Sequence, residues 1–350
     1  MTQEPSLSYR DAGVDIAAQD ETLARSRAAI RATFTPGVLG DVGLFGGLFD
    51  LAAMGCAGQI LVSSADGVGT KLEVARRAGI HHTVGRDLVQ HCINDILVQG
   101  ARPLFFMDYV GTGRLDPVVL ADAIRGCAEA CCDHGVALLG GETAEMPGLY
   151  GDGDYDLVGF IVGAVARERI LDGSRVRPGQ ILLGLTSSGL HTNGYSLARR
   201  ILFDKLGLDV NDRPAGLEGA SVGEALLAPH RCYLELLWPL LEEGRLAAMA
   251  HITGGGLRDN LPRVLGAHAA AIDRSSWTPP ALFRLLCEAG PVDLEEAHQA
   301  FNMGIGMVLV VEPDDEAPVR EHLAGAGETV VPLGSVVERA GDEPGVRWTS

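Results

Sequence analysis

Apolar and polar positions alternate with two distinct periods along this chain, and the period changes at glycine-rich breaks. The run QILV enters a strand over 59–65, and KLEVARRA that follows has helical spacing over Lys71–Ala78. A second helix is predicted over 85–99, a strand over 104–110 (LFFMDYV), and a long helix over 117–134. Strands are expected over 136–140 and 156–165. Before these, 22–33 reads as a helix and the Gly-rich stretch 36–58 as loop, while the polar segment 1–20 is expected to be mobile. Strands interspersed with helices indicate a mixed α/β architecture.

The stretch LDGSRVRPGQ (171–180) breaks the pattern with Gly, Pro and charge, and places a domain boundary between 1–170 and 171–350. A new unit then begins with a strand over Ile181–Thr186 and a helix over 195–203. A helical stretch follows over 225–243, with breaks expected near Pro229 and Pro239. A helix over 257–265 carries Pro262, and strands are predicted over 307–311 and Val330–Val337. Beyond residue 312 there is little motif content. The length of 350 residues fits two such domains.

Composition narrows the function. A net charge of −18 argues against a general nucleic-acid binder, whose affinity rests on neutralising phosphates. It leaves room for a small phosphorylated ligand, because a bound cation inverts the local field. No apolar run reaches the length of a membrane helix, and the start MTQEPSLSYRDAGVDI lacks the form of a secretory signal. Seven scattered cysteines without a C-x-x-C spacing read as reduced thiols in a cytoplasmic protein.

Candidate chemistry gathers in six places. SSADGVGTKL (63–72) runs from strand through a glycine turn to helix, like a phosphate loop, but opens with Asp66 and lacks the P-loop spacing. It also carries Lys71, one of two lysines against 26 arginines. On the helix 85–99, Asp87, His91 and Asp95 recur every four residues beside Asn94, a pattern that suits a hard cation or, equally, a solvated face. GGETAEMPG (140–148) presents Glu142 and Glu145 beyond a strand end, as a metal contact or a polar turn. SSGLHTNGYSL (187–197) and HITGGGLRDN (251–260) each lead a glycine loop into a helix, with His191 as an acid/base or phosphate contact. FNMGIGMVLV (301–310) puts two glycines before a strand, where tight packing is a strong reading. A metal–triphosphate site would unite the separated carboxylates, with a cation between Asp66 and the phosphates.

These motifs, with SYRDAGVDI (8–16) and ND followed by GARPLFFMDY (94–109), occur in the order found in the aminoimidazole ribonucleotide synthetases, or phosphoribosylformylglycinamidine cyclo-ligases. The chain resembles that family along nearly its whole length. The resemblance implies two mixed α/β domains, with the N-terminal sheet pairing with that of a second subunit into a barrel-like dimer core. It implies ATP-dependent closure of formylglycinamidine ribonucleotide to aminoimidazole ribonucleotide, ADP and phosphate in purine synthesis, with magnesium. It implies no nucleic-acid or membrane partner.

Carried onto this chain, the resemblance implies Asp66, Asp87, Asp95 and Glu142 as metal ligands. It places ATP at Asp66, Gly67, Gly69, Thr70, Lys71, Asn94, Gly140 and Gly141. His191, Asp95 and Asn193 would be catalytic, and Ser187, Ser188, Gly189, His251, Gly254 and Gly255 would meet the substrate. The segment 8–16 would close as a lid. Arg86, Gln90 and His91 make the helix 85–99 more polar than the family leads one to expect, and His91 would add a contact near the metal. Selenophosphate synthetase, thiamine-monophosphate kinase, the hydrogenase-maturation dehydratase and the preceding purine synthetase share the expected architecture. A nucleotide-sensing dimer could dispense with His191 and the separated carboxylates.

Overall fold

The computed structural model describes residues 39, 47–50, 52–53, 58–114 and 116–349. The segments 1–20 and 8–16 and the helix 22–33 lie outside the described residues. Those described divide into two compact units, with the change between Ile170 and Leu171.

The first unit is built on five strands: β1 (Gly47–Asp50), β2 (Ile60–Gly67), β3 (Arg102–Thr112), β4 (Ala137–Glu145) and β5 (Tyr155–Val165), in the order β1-β2-β5-β3-β4. Neighbours are antiparallel except β3 and β4, which run parallel. β1 corrects the expectation that 36–58 is loop throughout. Three helices accompany the sheet: α1 (Lys71–Ala78), α2 (His82–Leu97) and α3 (Pro117–Asp133). Asp116 caps α3, accepting from the backbone N–H groups of Val118 and Val119. Leu88, Cys92 and Ile96 of α2 are fully buried. A Cβ on Gly85 would strike the Ala123 carbonyl, and one on Gly126 the His82 carbonyl, so α2 and α3 touch backbone to backbone at two glycines.

Alternation along β5 separates the two faces of this sheet. Leu157 and Ile161 are buried, while Val158, Phe160 and Val162 are more exposed. Phe160 pairs in register with Met107 of β3, and the two are 48% and 43% exposed. The face away from α2 is therefore apolar and uncovered by the described residues of this unit.

The second unit has six strands: β6 (Ile181–Thr186), β7 (Leu246–His251), β8 (Ala269–Ile272), β9 (Ile305–Val311), β10 (Val330–Val337) and β11 (Val346–Trp348), in the order β11-β8-β10-β6-β9-β7. All seven positions of β9 are buried. The helices are α4 (Tyr195–Arg199), α5 (Val222–Leu226), α6 (Leu234–Glu242), α7 (Gly256–Asn260), α8 (Ala281–Ala289), α9 (Leu294–Ala300) and α10 (Pro313–Gly325).

Several helix limits differ from expectation, each for a local reason. The helix expected over 195–203 opens into a π-turn over Arg200–Lys205, where the hydrogen bonds widen to i→i+5. The stretch 225–243 splits into α5, started by a Ser221/Glu224 capping box, and α6, which tolerates Pro239 inside it. The stretch 257–265 becomes α7 and a 3-10 turn over Leu261–Arg263, where Pro262 needs no donor.

Candidate functional site

In the first unit, the end of β2 faces α2. Asp66 Oδ2 lies 2.6 Å from His91 Nε2, which is 3.5 Å from Asp95 Oδ2. Ser64 Oγ donates to the same Asp95 oxygen at 3.2 Å. The four-residue spacing of His91 and Asp95 sets both on one side of α2. β2 supplies Ser64 and Asp66 from the same pleat face. This is no solvated face: Asp87, His91, Asn94 and Asp95 are all buried.

Burial alone would lower the His91 pKa. The carboxylates of Asp66 and Asp95, the hydrogen bond to Asp66 and the charge of Asp87 more than reverse that, and raise it to about 9. His91 is thus an imidazolium near neutral pH. Two carboxylates and a hydroxyl surround a positive charge, and the donor set is of the kind a hard cation takes.

Lys71 is placed otherwise than the phosphate reading required. Its Nζ lies 2.7 Å from Asp87 Oδ2, and both side chains are completely buried. Burial lowers the Lys71 pKa and Asp87 opposes that shift. Lys71 and Asp87 therefore hold each other in the interior, beneath the glycine turn. The turn between them and β2 keeps the expected form. Gly69 has φ +65°, while a Cβ on Gly67 would meet only ordinary contacts. Gly67 N–H donates to Asp66 Oδ1 at 2.7 Å, and Thr70 is exposed at the start of α1.

Glu142 is also corrected. GGETAE lies inside β4, not in a loop beyond a strand end. The register runs Asp66–Gly159–Asp108–Gly141 across the sheet, so Glu142 belongs to the neighbouring row, with Tyr109, Val158 and Gly67. Three strand spacings separate the two edges of that row, roughly 14 Å, and the pleat points Glu142 to the face opposite Asp66. Within one chain, Glu142 cannot share an ion with Asp66 and Asp95. Gly140 and Gly141 lie exposed beside it on the sheet edge.

In the second unit, the loop after β6 turns back on itself at His191, whose φ of +60° is unusual for a residue with a side chain. Such a conformation costs about 1–2 kcal/mol and is held here by contacts. Ser188 N–H donates to His191 Nε2 at 3.2 Å, and the ring stacks on His230 with centroids 4.0 Å apart. Tyr233 meets the ring edge-on at 6.4 Å. A Cβ on Gly306 would collide with the Tyr233 hydroxyl and His191 Cε1, so the packing reading of FNMGIG is what the structure shows.

Asn302 fastens this loop to the turn before β9. Its Oδ1 accepts from Ser187 Oγ at 3.0 Å and Gly304 N at 2.8 Å, and its Nδ2 donates to the Gly189 carbonyl at 2.9 Å. The HITGGG loop joins the same place. Asn193 Oδ1 would lie 3.3 Å from a Cβ on Gly254, and His251 Nε2 lies 3.0 Å from His230 Nε2. Gly255 has φ +92°. Asn260 Nδ2 holds the loop through the carbonyls of Gly254 and Gly256, at 3.2 and 2.8 Å.

Ser187, Ser188, Gly189, His191, Asn193, His251, Gly254 and Gly255 thus come together. Sequence reasoning missed Asn302, His230 and Tyr233. Asn302 had a signal in the FNMGIG motif itself; His230, in the APHRCY segment, had none.

Comparison with known proteins agrees with both units. Residues 50–165 match the family model described as AIR synthase related protein, N-terminal domain, and 177–347 the corresponding C-terminal domain. The chain is 48% identical to the phosphoribosylformylglycinamidine cyclo-ligase of Trichlorobacter lovleyi over 334 residues, covering 95% of each. It is 49% identical to that of Geobacter metallireducens over 339 residues, covering 96% of this chain and 97% of the relative. Among solved structures, thiamine-monophosphate kinase from Stenotrophomonas maltophilia has the same fold, with a TM-score of 0.64 at 19% identity over 93% of this chain and 95% of that one. The hydrogenase maturation protein HypE, solved in complex with ATP, gives 0.56 at 19% identity over 83% and 82%. The chain belongs to the phosphoribosylformylglycinamidine cyclo-ligase family of enzymes.

Proposed function

We propose that this enzyme closes the imidazole ring of formylglycinamidine ribonucleotide at the expense of ATP. The γ-phosphoryl group passes to the formyl amide oxygen and ADP leaves. A substrate nitrogen then attacks the activated carbon, and inorganic phosphate departs as the ring forms. The observation that carries the ATP half is the convergence of the half-exposed Asp66 and the buried Asp95 carboxylates on His91 at the end of β2. A fold neighbour solved with ATP supports the same nucleotide.

Asp66 and Asp95 would hold magnesium, with Ser64 orienting Asp95. When bound, the ion neutralises charge on the phosphate oxygens. The glycine turn Gly67–Gly69 with Thr70 supplies backbone and hydroxyl donors to the phosphates, and Asn94 lines the same helix. Lys71 and Asp87 brace that turn from beneath. In the second unit, His191 polarises the formyl oxygen or takes the proton released as the ring closes. Asn193, Ser187, Ser188, Gly189, His251, Gly254 and Gly255 orient the phosphorylated substrate.

The enzyme works as a homodimer. Its apolar face around Met107 and Phe160 is left exposed by the described residues of the first unit, and a second copy of the same sheet is the occupant of matching chemistry.

The test is direct. Purified enzyme with formylglycinamidine ribonucleotide, ATP and magnesium should release ADP, phosphate and the aminoimidazole in equal amounts. ATP hydrolysis without the aminoimidazole, or ATP binding without turnover, overturns the reading.

A further inference from the structure

We infer that Asn302 is a positioning residue that fixes Ser187 as a hydrogen-bond acceptor, so that Ser187 reads the exocyclic amidine N–H of the substrate rather than its phosphate. The inference deepens the reaction proposed above and rests on it.

Two backbone groups with fixed roles orient the Asn302 amide. Gly304 N–H, a donor only, lies 2.8 Å from one end, and the Gly189 carbonyl, an acceptor only, lies 2.9 Å from the other. The first end is therefore the oxygen. Ser187 Oγ lies 3.0 Å from that same oxygen, so the serine supplies the hydrogen. A hydroxyl has one hydrogen and two lone pairs, and what Ser187 retains for a ligand is acceptor capacity alone. Turning its hydrogen outward would leave two oxygens with facing lone pairs, beside an amide that is 3% exposed.

The rest of the Ser187–Ser188 turn is committed in the same sense. Ser187 N–H donates to the Gly304 carbonyl at 2.9 Å, Ser188 N–H to His191 Nε2 at 3.2 Å, and Ser188 Oγ to the Pro229 carbonyl at 2.5 Å. Every donor of the two serines is thus spent within the unit, whereas a phosphate needs donors. The clamp itself is strained backbone, with φ +51° at Met303 and +95° at Gly304. Such conformations persist only where the surroundings hold them, and they cluster at functional sites.

Ser187 also stands at the reacting end of the site. A Cβ on Gly306 would lie 3.2 Å from Ser187 Cβ and 2.6 Å from His191 Cε1, so both side chains border one point. With His191 assigned to the formyl group, the neighbouring substrate donor is the amidine. Its exocyclic nitrogen keeps hydrogen through ring closure and becomes the amino group of the product.

Two ligands test this: the substrate, and the same ribonucleotide with oxygen in place of the exocyclic nitrogen, which turns a donor into an acceptor. Calorimetry on the full-length enzyme without ATP reads their binding with no turnover required. The unsubstituted enzyme should prefer the amidine by at least about tenfold, the worth of one hydrogen bond. Ser187→Ala should cut that preference to about threefold or less by weakening the amidine alone. Asn302→Ala frees the hydroxyl to turn and should narrow the preference by strengthening the oxygen ligand. Asn302→Asp keeps an oxygen facing Ser187 and should keep the preference. Equal loss for both ligands in Ser187→Ala would overturn the inference and make Ser187 a phosphate contact. An unaltered preference in Asn302→Ala would overturn it too and leave Asn302 a packing residue. If the unsubstituted enzyme binds both ligands equally, the inference alone falls. If it binds neither, the proposed reaction falls and the inference with it.

Discussion

Lys71 Nζ sits 2.7 Å from Asp87 Oδ2 with neither side chain exposed to solvent. The glycine turn after β2 thus ends on a buried ion pair that ties the first residue of α1 to the first half of α2. Removing one partner leaves an uncompensated charge in the interior, which costs about 3–5 kcal/mol. Lys71→Met should therefore lower unfolding stability by about that amount, read by circular dichroism in urea. Lys71→Met combined with Asp87→Leu should recover most of it. A phosphate contact would behave differently, raising KM for ATP in the single variant with stability unchanged.

Asp95 and Asp66 flank His91, and both are proposed to hold magnesium. Asp95→Asn keeps shape and hydrogen-bonding capacity but removes a full negative charge. Turnover at fixed ATP should fall at least about a hundredfold, a loss typical of a missing electrostatic contact in phosphoryl transfer. The magnesium concentration for half-maximal rate should rise in Asp66→Asn. The dimer should persist in sedimentation. Unaltered magnesium dependence in both variants would remove these carboxylates from the ion.

His191 is held by Ser188 and His230 in a left-handed backbone conformation within the second unit. His191→Ala should lower kcat by about 100-fold or more while KM for ATP changes little. The opposite split, with KM for ATP raised and kcat retained, would transfer this side chain to the nucleotide.

Phe160 and Met107 pair in register on the uncovered face of the first sheet. Phe160→Asp would bury a carboxylate in the proposed dimer core, a cost that an apolar interface cannot offset. Sedimentation should show a monomer, with the secondary structure of each unit intact. A dimer of undiminished strength would place the interface elsewhere.

The amount of this that could be read from sequence varied with the physics deciding each feature. Lys71–Ala78, Ile181–Thr186 and Val330–Val337 came out with the limits seen in the structure, because period and flanking breakers agree there. Leu246–His251 (LAAMAH) and Ala269–Ile272 (AAAI) were not foreseen as strands, since alanine has low strand preference and only pairing within the second sheet makes them extended. The closeness of His91 and Asp95 was legible as helical spacing. The burial of Lys71 was not, because it depends on Asp87 returning sixteen residues later. Glu142 was misplaced because glycines weaken a strand signal, and β4 survives them only by pairing with β3. Once the strand continues, pleat parity alone sends Glu142 to the other face from Asp66.

His298 carries the last expectation, for stability rather than catalysis. Burial, helped by the Arg274 guanidinium and opposed by Glu295, pushes its pKa down from 6.5 to about 4. The ring lies among Trp277 and Trp348, at centroid distances of 6.1 and 4.8 Å. Above pH 6.5 it is neutral both folded and unfolded and contributes no pH dependence. Below that, the unfolded chain takes up the proton first, so stability falls as pH drops toward 4 and levels off beneath it. The gap corresponds to about 3 kcal/mol at full extent. All three tryptophans, Trp238, Trp277 and Trp348, belong to the second unit, so their fluorescence in urea follows that unit alone. His298→Gln cannot take up the proton. Its stability deficit relative to the unsubstituted enzyme at pH 7.5 should shrink steadily between pH 6.5 and 4.5, by about 2 kcal/mol or more. Parallel stability curves for the two proteins across that range would show that His298 is not buried in its neutral form.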